Sequence, residues 1–365
     1  MQTNEIIDSL WSEIKSNKVA YGATEDLFEI LRIYEESNKK DAHWHCKKLR
    51  NWIQRQITYV CSPDVMDTTT AVKLNELYKR ALLFDSQADF DAYLIFIEFN
   101  RDPHLKFYLP RRKELRDLVQ GLQDLEDDVL DILSISMPPG TGKTTLGIFF
   151  LTWIMGKYPA QPNIASAHAD SLTRSIYDGV LKVLKDEEYL WREVFPNVGL
   201  EATNAKDETI NLGEAKRFKT LTCRSIDGSL TGSTRCERYL YCDDLVSGIE
   251  EALNLDRLDT KQYKYANDLK TRKKLGCKEI HIATRWSVHD VIGRLERQYE
   301  NNPRARFISV PGLNDDGESN FNYAYGVGFD TAYFRDLEES MDDVSYKCLI
   351  QQQPIEREGL LFPDE

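Results

Sequence analysis

A run of small and polar residues, PGTGKTT, is the part of the sequence with the clearest chemistry. Glycines let backbone N–H groups close around a phosphate, and the positive end of a following helix adds to the attraction. In such a loop Lys143 reaches the β- and γ-phosphates of a nucleotide, and the Thr144 hydroxyl binds Mg²⁺. The usual pattern begins with a glycine where this chain has Met137. The residues predicted to hold the nucleotide are Pro139, Gly140, Thr141, Gly142, Lys143, Thr144 and Thr145.

Two adjacent acids, Asp243 and Asp244, follow the apolar run RYLYC and form a second candidate group. Hydrolysis of a nucleoside triphosphate needs one carboxylate in the Mg²⁺ shell and a group that orients the attacking water. We predict that Asp243 binds the metal together with Thr144, and that Asp244 is the catalytic base. Glu250 and Glu251 are the alternatives for the base. A pair of acids that only caps a helix is the alternative for both roles.

A threonine, Thr284, ends another apolar run, EIHIAT, and Arg285 follows it. A polar side chain at the tip of the strand beside the metal-binding strand can sense the γ-phosphate. We therefore count Thr284 and Arg285 among the predicted catalytic residues.

The segment FYLPRRK, upstream of the phosphate loop, is a candidate for binding the base and the ribose of the nucleotide. Tyr108 would stack on an adenine ring, and Arg111 or Arg112 would donate hydrogen bonds. A basic helix start explains the same residues nearly as well.

These groups need elements that bring them together, and the sequence from about residue 101 supplies such elements. Short apolar runs alternate with amphipathic stretches, which predicts a mostly parallel sheet with helices on both faces. The runs lie at 132–137, 163–167, 238–242, 279–284 and 306–310. Because an extra strand at 163–167 separates the two nucleotide motifs, the pattern favours the P-loop branch with a catalytic carboxylate. The predicted fold class is therefore α/β, a P-loop NTPase of the RecA-type (ASCE) kind.

Residues 1–100 carry helical periodicity only, which predicts an all-α accessory domain before the α/β domain. We place the P-loop ATPase domain at 101–355. Residues 356–365 are polar and contain Pro363, which predicts the start of a linker.

The chain of 365 residues has a formal net charge of −13, which argues against a protein that coats nucleic acid. Local potential nevertheless matters more than the total charge. Residues 260–278 hold seven Lys or Arg against one acid, which predicts either a contact with the DNA backbone or a solvated helix face. The DNA-contact candidates are Lys270, Arg272, Lys273 and Lys274.

The composition also indicates the cellular compartment in which the protein is expected. The chain has no run of the roughly 18 apolar residues that a membrane helix needs, and its N-terminus has no signal-peptide core. Seven scattered cysteines without a Cys-x-x-Cys pair make a disulfide framework improbable. We expect a cytoplasmic protein with no membrane partner.

Several strings together resemble the large terminase subunit of tailed double-stranded DNA phages, the ATPase that packages genomes. They are SMPPGTGKTTL, GSLTGSTRCERYLYCDDLV, IATRWSVHDVIGRL and IQQQPIEREGLLF, and the resemblance covers about 105–365. It implies an ATPase that uses ATP and Mg²⁺ and moves double-stranded DNA into a procapsid in the host cytoplasm. It also implies a C-terminal nuclease domain beyond this chain, a small terminase subunit and a portal protein as partners, and a homo-oligomeric, pentameric ring.

The resemblance bears on one further role. Many loops of this family carry a basic residue where this chain has Gly140, so an arginine finger from a neighbouring subunit is the better expectation. Arg174, Arg235 and Arg285 are the candidates. The alternative to a packaging motor is a helicase or an AAA-type remodelling ATPase. A non-enzymatic alternative is an adaptor that nucleotide binding alone switches.

Overall fold

The computed structural model describes residues 2–228 and 234–354 of the chain. The chain divides into two compact units, Met1–Asn100 and Arg101–Glu365. The predicted linker at 356–365, and parts of two strings that carry the resemblance, lie outside the described residues. No helix in the described ranges is long and apolar enough to cross a membrane.

The first unit is built from helices, of which the fifth is buried on almost all sides and the others bury mainly one face. Leu27 and Leu31 lie on the buried face of the second helix, and Leu49 and Ile53 lie on that of the third, at helical spacing. The helices are α1 (Gln2–Ser16), α2 (Tyr21–Tyr34), α3 (Lys39–Val60), α4 (Thr68–Asp85) and α5 (Phe90–Ile97).

A buried ion cluster joins three of these helices. Arg50 of α3 donates from Nε to Asp85 at 2.8 Å and from Nη2 to Asp89. The His43 ring, on the same helix, lies 2.8 Å from the second Asp85 oxygen. Because Asp85 is fully buried, this cluster satisfies charges that could not otherwise stay in the core.

Substitution of Arg50 by Met is expected to lower the free energy of unfolding of the first unit by about 3–5 kcal/mol, because it leaves Asp85 buried without its cation. The matched control is Arg80→Met. Arg80 pairs with Glu25 and Glu29, but its side chain is 40% exposed, so the loss there should stay under about 1 kcal/mol. Urea unfolding followed by circular dichroism measures both. Equal losses from the two substitutions would contradict this account of the cluster.

The second unit contains an 8-stranded sheet among its described residues. Its strands are β1 (Ile132–Ser136), β2 (Asn163–Ala167), β3 (Leu200–Asn204), β4 (Thr209–Leu212), β5 (Leu221–Ser225), β6 (Tyr239–Asp243), β7 (Lys278–Ala283) and β8 (Ala305–Ser309). The spatial order is β3-β4-β5-β2-β6-β7-β1-β8. All neighbours from β5 to β8 in that order pair in parallel. β4 pairs antiparallel with both of its neighbours, β3 and β5. This confirms the prediction of a mixed α/β fold with a mostly parallel sheet.

Helices pack on both faces of this sheet. The α-helices of this unit are α6 (Tyr108–Arg111), α7 (Arg116–Glu126), α8 (Lys143–Lys157), α9 (Asp170–Lys185), α10 (Trp191–Val194), α11 (Ile249–Ala252), α12 (Leu255–Lys264), α13 (Val291–Gln298), α14 (Thr331–Ser340) and α15 (Asp343–Ser345). Successive side chains of β6 point to opposite faces. Tyr239 meets Phe150 of α8 at 5.1 Å between ring centroids, whereas Leu240 packs in a cluster with Tyr265 and with Leu295 of α13.

Two local features of the fold are not indicated by the runs in the sequence. The string KRFKTLTCRS contains strand β5, which pairs in parallel with β2 and extends the main sheet. The stretch after β6 is interrupted at Asn254, whose side chain accepts a hydrogen bond from Arg257 N and so begins α12 as an N-cap.

Candidate nucleotide site at the carboxyl edge of the sheet

Three neighbouring strands, β6, β7 and β1, end at the same edge of the sheet, where open α/β sheets bind ligands. Each strand is followed by one of the predicted groups. The phosphate loop follows β1, the acidic pair ends β6, and Thr284 follows β7. The sheet therefore brings together residues that lie up to 141 positions apart, and the Nζ of Lys143 donates to Thr284 Oγ1 at 2.7 Å.

The loop conformation depends on its two glycines. Gly140 and Gly142 have φ angles of 76° and 99°, in the left-handed region that favours glycine. A Cβ atom on Gly142 would lie 2.6 Å from the Phe107 ring, and one on Gly140 would lie 3.1 Å from the Phe329 ring. Thr141 closes the turn, because its hydroxyl donates to Pro138 O at 2.7 Å. The loop thus runs between two aromatic rings that approach its backbone closely.

Lys143 is the first residue of α8, and its side chain is almost fully buried. Besides its bond to Thr284, its Nζ lies 3.5 Å from Oδ2 of Asp244. The ammonium group therefore lies between the strand-end threonine and the second acid of the pair. A triphosphate in the loop would offer this cation stronger partners than either of them.

Asp243 is fully buried at the end of β6. Its Oδ2 accepts a hydrogen bond from the Tyr241 hydroxyl at 2.8 Å, but its Oδ1 has no hydrogen-bond partner among the described residues. Burial and the neighbouring charge of Asp244 raise the pKa of Asp243, and Tyr241, Lys143 and Thr144 oppose that increase.

This arrangement fits a divalent cation. A cation at Oδ1 would give a buried oxygen the partner that it lacks and would favour the ionised carboxylate. Mg²⁺ in nucleotide sites usually takes one or two protein ligands and the phosphates of the substrate. Asp243 and the half-buried Thr144 would be those two oxygen ligands if Mg²⁺ binds here.

Tyr241, which orients the Asp243 carboxylate, was not predicted from the sequence. A Cβ atom on Gly147 of α8 would lie 2.2 Å from the Tyr241 hydroxyl. Gly147 therefore leaves the space in which Tyr241 reaches Asp243. The signal that could have found it is its period-two spacing from Asp243 on the same face of β6.

Asp244 has a left-handed backbone conformation, with a φ angle of 42°. Its Oδ1 accepts a hydrogen bond from Thr284 N at 2.6 Å. Its backbone is held from both sides, since its N–H donates to Ile282 O and its carbonyl oxygen accepts from His168 N. A strained residue held this firmly points to a functional role for its side chain.

The two alternative bases, Glu250 and Glu251, lie in different surroundings. Glu251 Oε2 accepts a hydrogen bond from Ser247 N at 2.7 Å, and its Oε1 lies 3.5 Å from Lys261 Nζ. Glu250 lies on the short helix α11 and is exposed. The contacts of Asp244 with Lys143 and Thr284 therefore favour Asp244 as the base.

The three arginines that are candidates for the arginine finger lie in different surroundings. Arg285 is buried and donates to Asp290 at 3.1 Å and to Glu296 at 2.9 Å, which favours a structural role. Arg174 lies on α9, which follows β2 at the same edge of the sheet as the loop, and its side chain is 45% exposed. Arg235 precedes β6, at the opposite edge, and pairs with Glu237 at 2.9 Å.

The predicted base-binding segment places a different aromatic residue against the loop. Tyr108 is buried, whereas the half-buried Phe107 packs on Gly142 and lies 5.7 Å from the Phe149 ring. Arg111 donates to Phe107 O and to Val327 O, which links this segment to the one that carries the second ring, Phe329. Arg112, the residue that follows α6, is half-buried.

The predicted DNA-contact residues lie before β7, at the amino edge of the sheet, opposite the loop. Lys273 pairs with the buried Glu279 at 2.5 Å, and Lys270 donates to Tyr299 at 3.0 Å. Lys274 pairs with Glu237 at 3.2 Å, and Arg272 donates to the Asp268 carbonyl at 3.3 Å. Lys273 is therefore turned inward, and Lys274 has the most exposed side chain of the three lysines.

Among solved structures, comparison finds a distant likeness. The crystal structure of the HK97 bacteriophage large terminase is similar to this chain, with a TM-score of 0.48 and 14% sequence identity. The match covers 72% of this chain and 54% of that one, so this chain spans about half the length of the terminase that it matches. Neither a scan of protein families nor a search of curated proteins found a match.

Substitution of Gly142 by Ala is expected to weaken ATP binding by at least about tenfold, because a Cβ at this φ angle is strained and collides with Phe107. The matched control is Gly199→Ala, since a Cβ atom there meets nothing within 4 Å. Isothermal titration with an ATP analogue measures the affinity, and the melting temperature reports folding. An unchanged affinity in the Gly142 variant would show that the loop does not bind phosphate in this conformation.

Proposed function

We propose that this chain is an ATPase that uses Mg²⁺, with its active site at the carboxyl edge of the sheet. The observation that carries the proposal is the meeting of Lys143 with the strand ends that hold Asp243, Asp244 and Thr284. The order β6-β7-β1, in which a strand separates the acid strand from the loop strand, supports the RecA-type (ASCE) branch of P-loop enzymes.

Each residue has a role that follows from its position. The loop N–H groups and Lys143 bind the phosphates of ATP, and Phe107 lies where it can contact the base. Thr144 and Asp243 hold Mg²⁺, which when bound neutralises charge on the phosphates. Asp244 orients the attacking water and accepts its proton.

ATP binding makes Lys143 change partners. Its ion pair with Asp244, at 3.5 Å, competes with a triphosphate that carries more negative charge. When Lys143 turns to the phosphates, Oδ2 of Asp244 becomes available to a water molecule. Oδ1 stays bound to Thr284 N and keeps the carboxylate in position.

Thr284 connects the site to α13. The next residue, Arg285, donates to Asp290, which caps α13 by accepting from Gly293 N at 2.7 Å, and to Glu296 within that helix. A change at Thr284 when the γ-phosphate leaves is therefore passed to the helix α13 through the two ion pairs of the buried Arg285. Such a link suits an enzyme that converts hydrolysis into movement.

The motif resemblance supports a more specific role, the motor domain of a viral DNA-packaging terminase large subunit. In that role the chain couples ATP hydrolysis to translocation of double-stranded DNA into a procapsid in the host cytoplasm. A small terminase subunit and a portal protein are its partners, and it works as a pentameric ring. A neighbouring subunit then supplies the finger, for which Arg174 is the best placed of the three candidates because it is exposed at the loop edge.

Nucleotide binding and phosphate release, measured together at several protein concentrations, test this function. We expect the rate of phosphate release per chain to rise with protein concentration, because the arginine finger comes from a neighbouring subunit. We also expect it to rise when linear double-stranded DNA is added. Binding without release would instead show an adaptor that nucleotide switches. Full activity in a dilute monomer would contradict the finger in trans.

A further inference from the structure

The first unit contains a groove between α1 and α3, with a volume of about 660 Å³. Three indoles and three cations line it, and we call it the tryptophan groove. These residues are Trp11, Lys15, Trp44, Lys48, Trp52 and Arg55. The nucleotide site belongs entirely to the second unit, so this groove is a separate feature of the chain.

Helical spacing places these side chains on facing surfaces. Trp44, Lys48, Trp52 and Arg55 recur every three or four residues along α3, which puts them on one face. They extend over about 16 Å of helix at 1.5 Å per residue. Trp44 is 52% exposed, although a large apolar ring is normally buried in a core. A concave surface that leaves this ring accessible is unusual for a purely structural packing.

Each indole in the groove has its own cation. Lys48 Nζ lies 3.2 Å from the Trp44 ring centroid, and Arg55 lies 5.0 Å from that of Trp52. Lys15 lies 5.7 Å from the ring of Trp11. The groove thus alternates flat aromatic faces with positive charges, in a chain whose net charge is −13.

The floor of the groove is fixed by a hydrogen bond from Trp11 Nε1 to His45 Nδ1 at 2.9 Å. Burial lowers the pKa of His45, so the neutral ring accepts this bond at pH 7. Lys15, Lys48 and Arg55 therefore set the charge of the groove, against one acid, Asp8. An occupant should be anionic.

The lining also indicates which anionic occupant fits. Among the described residues that line the groove there is no Leu, Ile, Val, Met or Phe. Grooves that receive an amphipathic helix depend on such side chains. Aromatic faces beside cations, with small polar groups such as Ser12 and Asn51, instead match the surfaces that bind unpaired bases and their phosphates.

We propose that the tryptophan groove binds a single-stranded segment of nucleic acid. A base stacks on the accessible Trp44 ring, and Lys15, Lys48 and Arg55 contact phosphates. A duplex cannot bind in this way, because its bases already stack on one another. An acidic peptide would satisfy the cations but would leave the indole faces without a planar partner. This inference does not depend on the proposed ATPase activity.

Binding of a labelled single-stranded oligothymidine of twelve nucleotides to the full chain, measured by fluorescence anisotropy, tests the proposal. We expect Trp44→Ala to weaken binding by at least about tenfold and Trp44→Phe to recover part of the loss, because stacking needs an aromatic face. Lys48→Gln should reduce the slope of log affinity against log salt by about 0.7, as expected for one lost phosphate contact on a single strand. Lys39→Gln is the matched control on α3, since Lys39 is exposed and lies outside the groove.

Several outcomes would overturn the proposal. They are absence of binding, equal affinity for a duplex of the same length, and binding that Trp44→Ala leaves unchanged in a folded variant. Tighter, Trp44-dependent binding of a poly-glutamate peptide would assign the groove to an acidic protein partner instead. Melting temperatures of all variants show whether each one is folded.

Discussion

Replacement of Asp243 by Asn is expected to abolish ATP hydrolysis and to leave the fold at least as stable as in the wild-type chain. The amide keeps the shape of the side chain and can still accept the hydrogen bond from Tyr241. It removes the charge on Oδ1 that would bind Mg²⁺. Loss of an outer-shell partner alone costs about 10–100-fold in metal affinity, so loss of a direct ligand should cost more.

The stability part of this prediction follows from burial. Asp243 is fully buried beside Asp244, and two close carboxylates out of water destabilise the folded state when both are charged. A neutral amide relieves that repulsion. Phosphate release across a Mg²⁺ titration and urea unfolding measure the two effects, and Asp117→Asn, an exposed acid of α7, is the control. Wild-type turnover at saturating Mg²⁺ would contradict the metal role.

Replacement of Asp244 by Asn should separate binding from hydrolysis. A general base is typically worth about 10²–10⁴-fold in rate, so kcat should fall by that amount. ATP affinity should be unchanged or higher, because Lys143 is released from the ion pair that Asp244 provides. Single-turnover hydrolysis and analogue binding measure the two quantities.

The matched control for this substitution is Glu251→Gln. Glu251 contacts Ser247 N and Lys261 and has no contact with Lys143 or Thr284 among the described residues, so its loss should leave kcat close to that of the wild type. If Glu251→Gln stops hydrolysis while Asp244→Asn does not, the assignment of the base to Asp244 is wrong.

The sequence predicts the residues of the site because each chemical group is local and follows an apolar strand. The loop at 139–145, the pair at 243–244 and Thr284 all stand at strand ends, and parallel strands bring such ends to one edge. The predicted strand limits are also close to those of the structure, because an apolar run marks each buried strand. For example, 132–137 was predicted, and β1 covers Ile132–Ser136.

The neighbours of the site could not be predicted, because they depend on contacts between distant parts of the chain. Phe329 packs on Gly140 from a segment nearly two hundred residues later, without a local pattern that indicates it. The basic stretch at 260–278 was read as an exposed surface, but Lys273 turns toward Glu279, an acid inside β7 that periodicity does not distinguish from an exposed one. The tryptophans of the first unit have helical spacing whether they are buried, like Trp11, or exposed, like Trp44. Only the packing of α1 and α3 leaves Trp44 accessible.

A crystal structure of the chain with Mg²⁺ and a non-hydrolysable ATP analogue tests the central claim most directly. We predict that the triphosphate lies in the loop, with Lys143 moved from Asp244 onto the phosphates and with the metal bound by Thr144 and Asp243. An analogue bound elsewhere, or a metal that does not contact Asp243, would contradict the account.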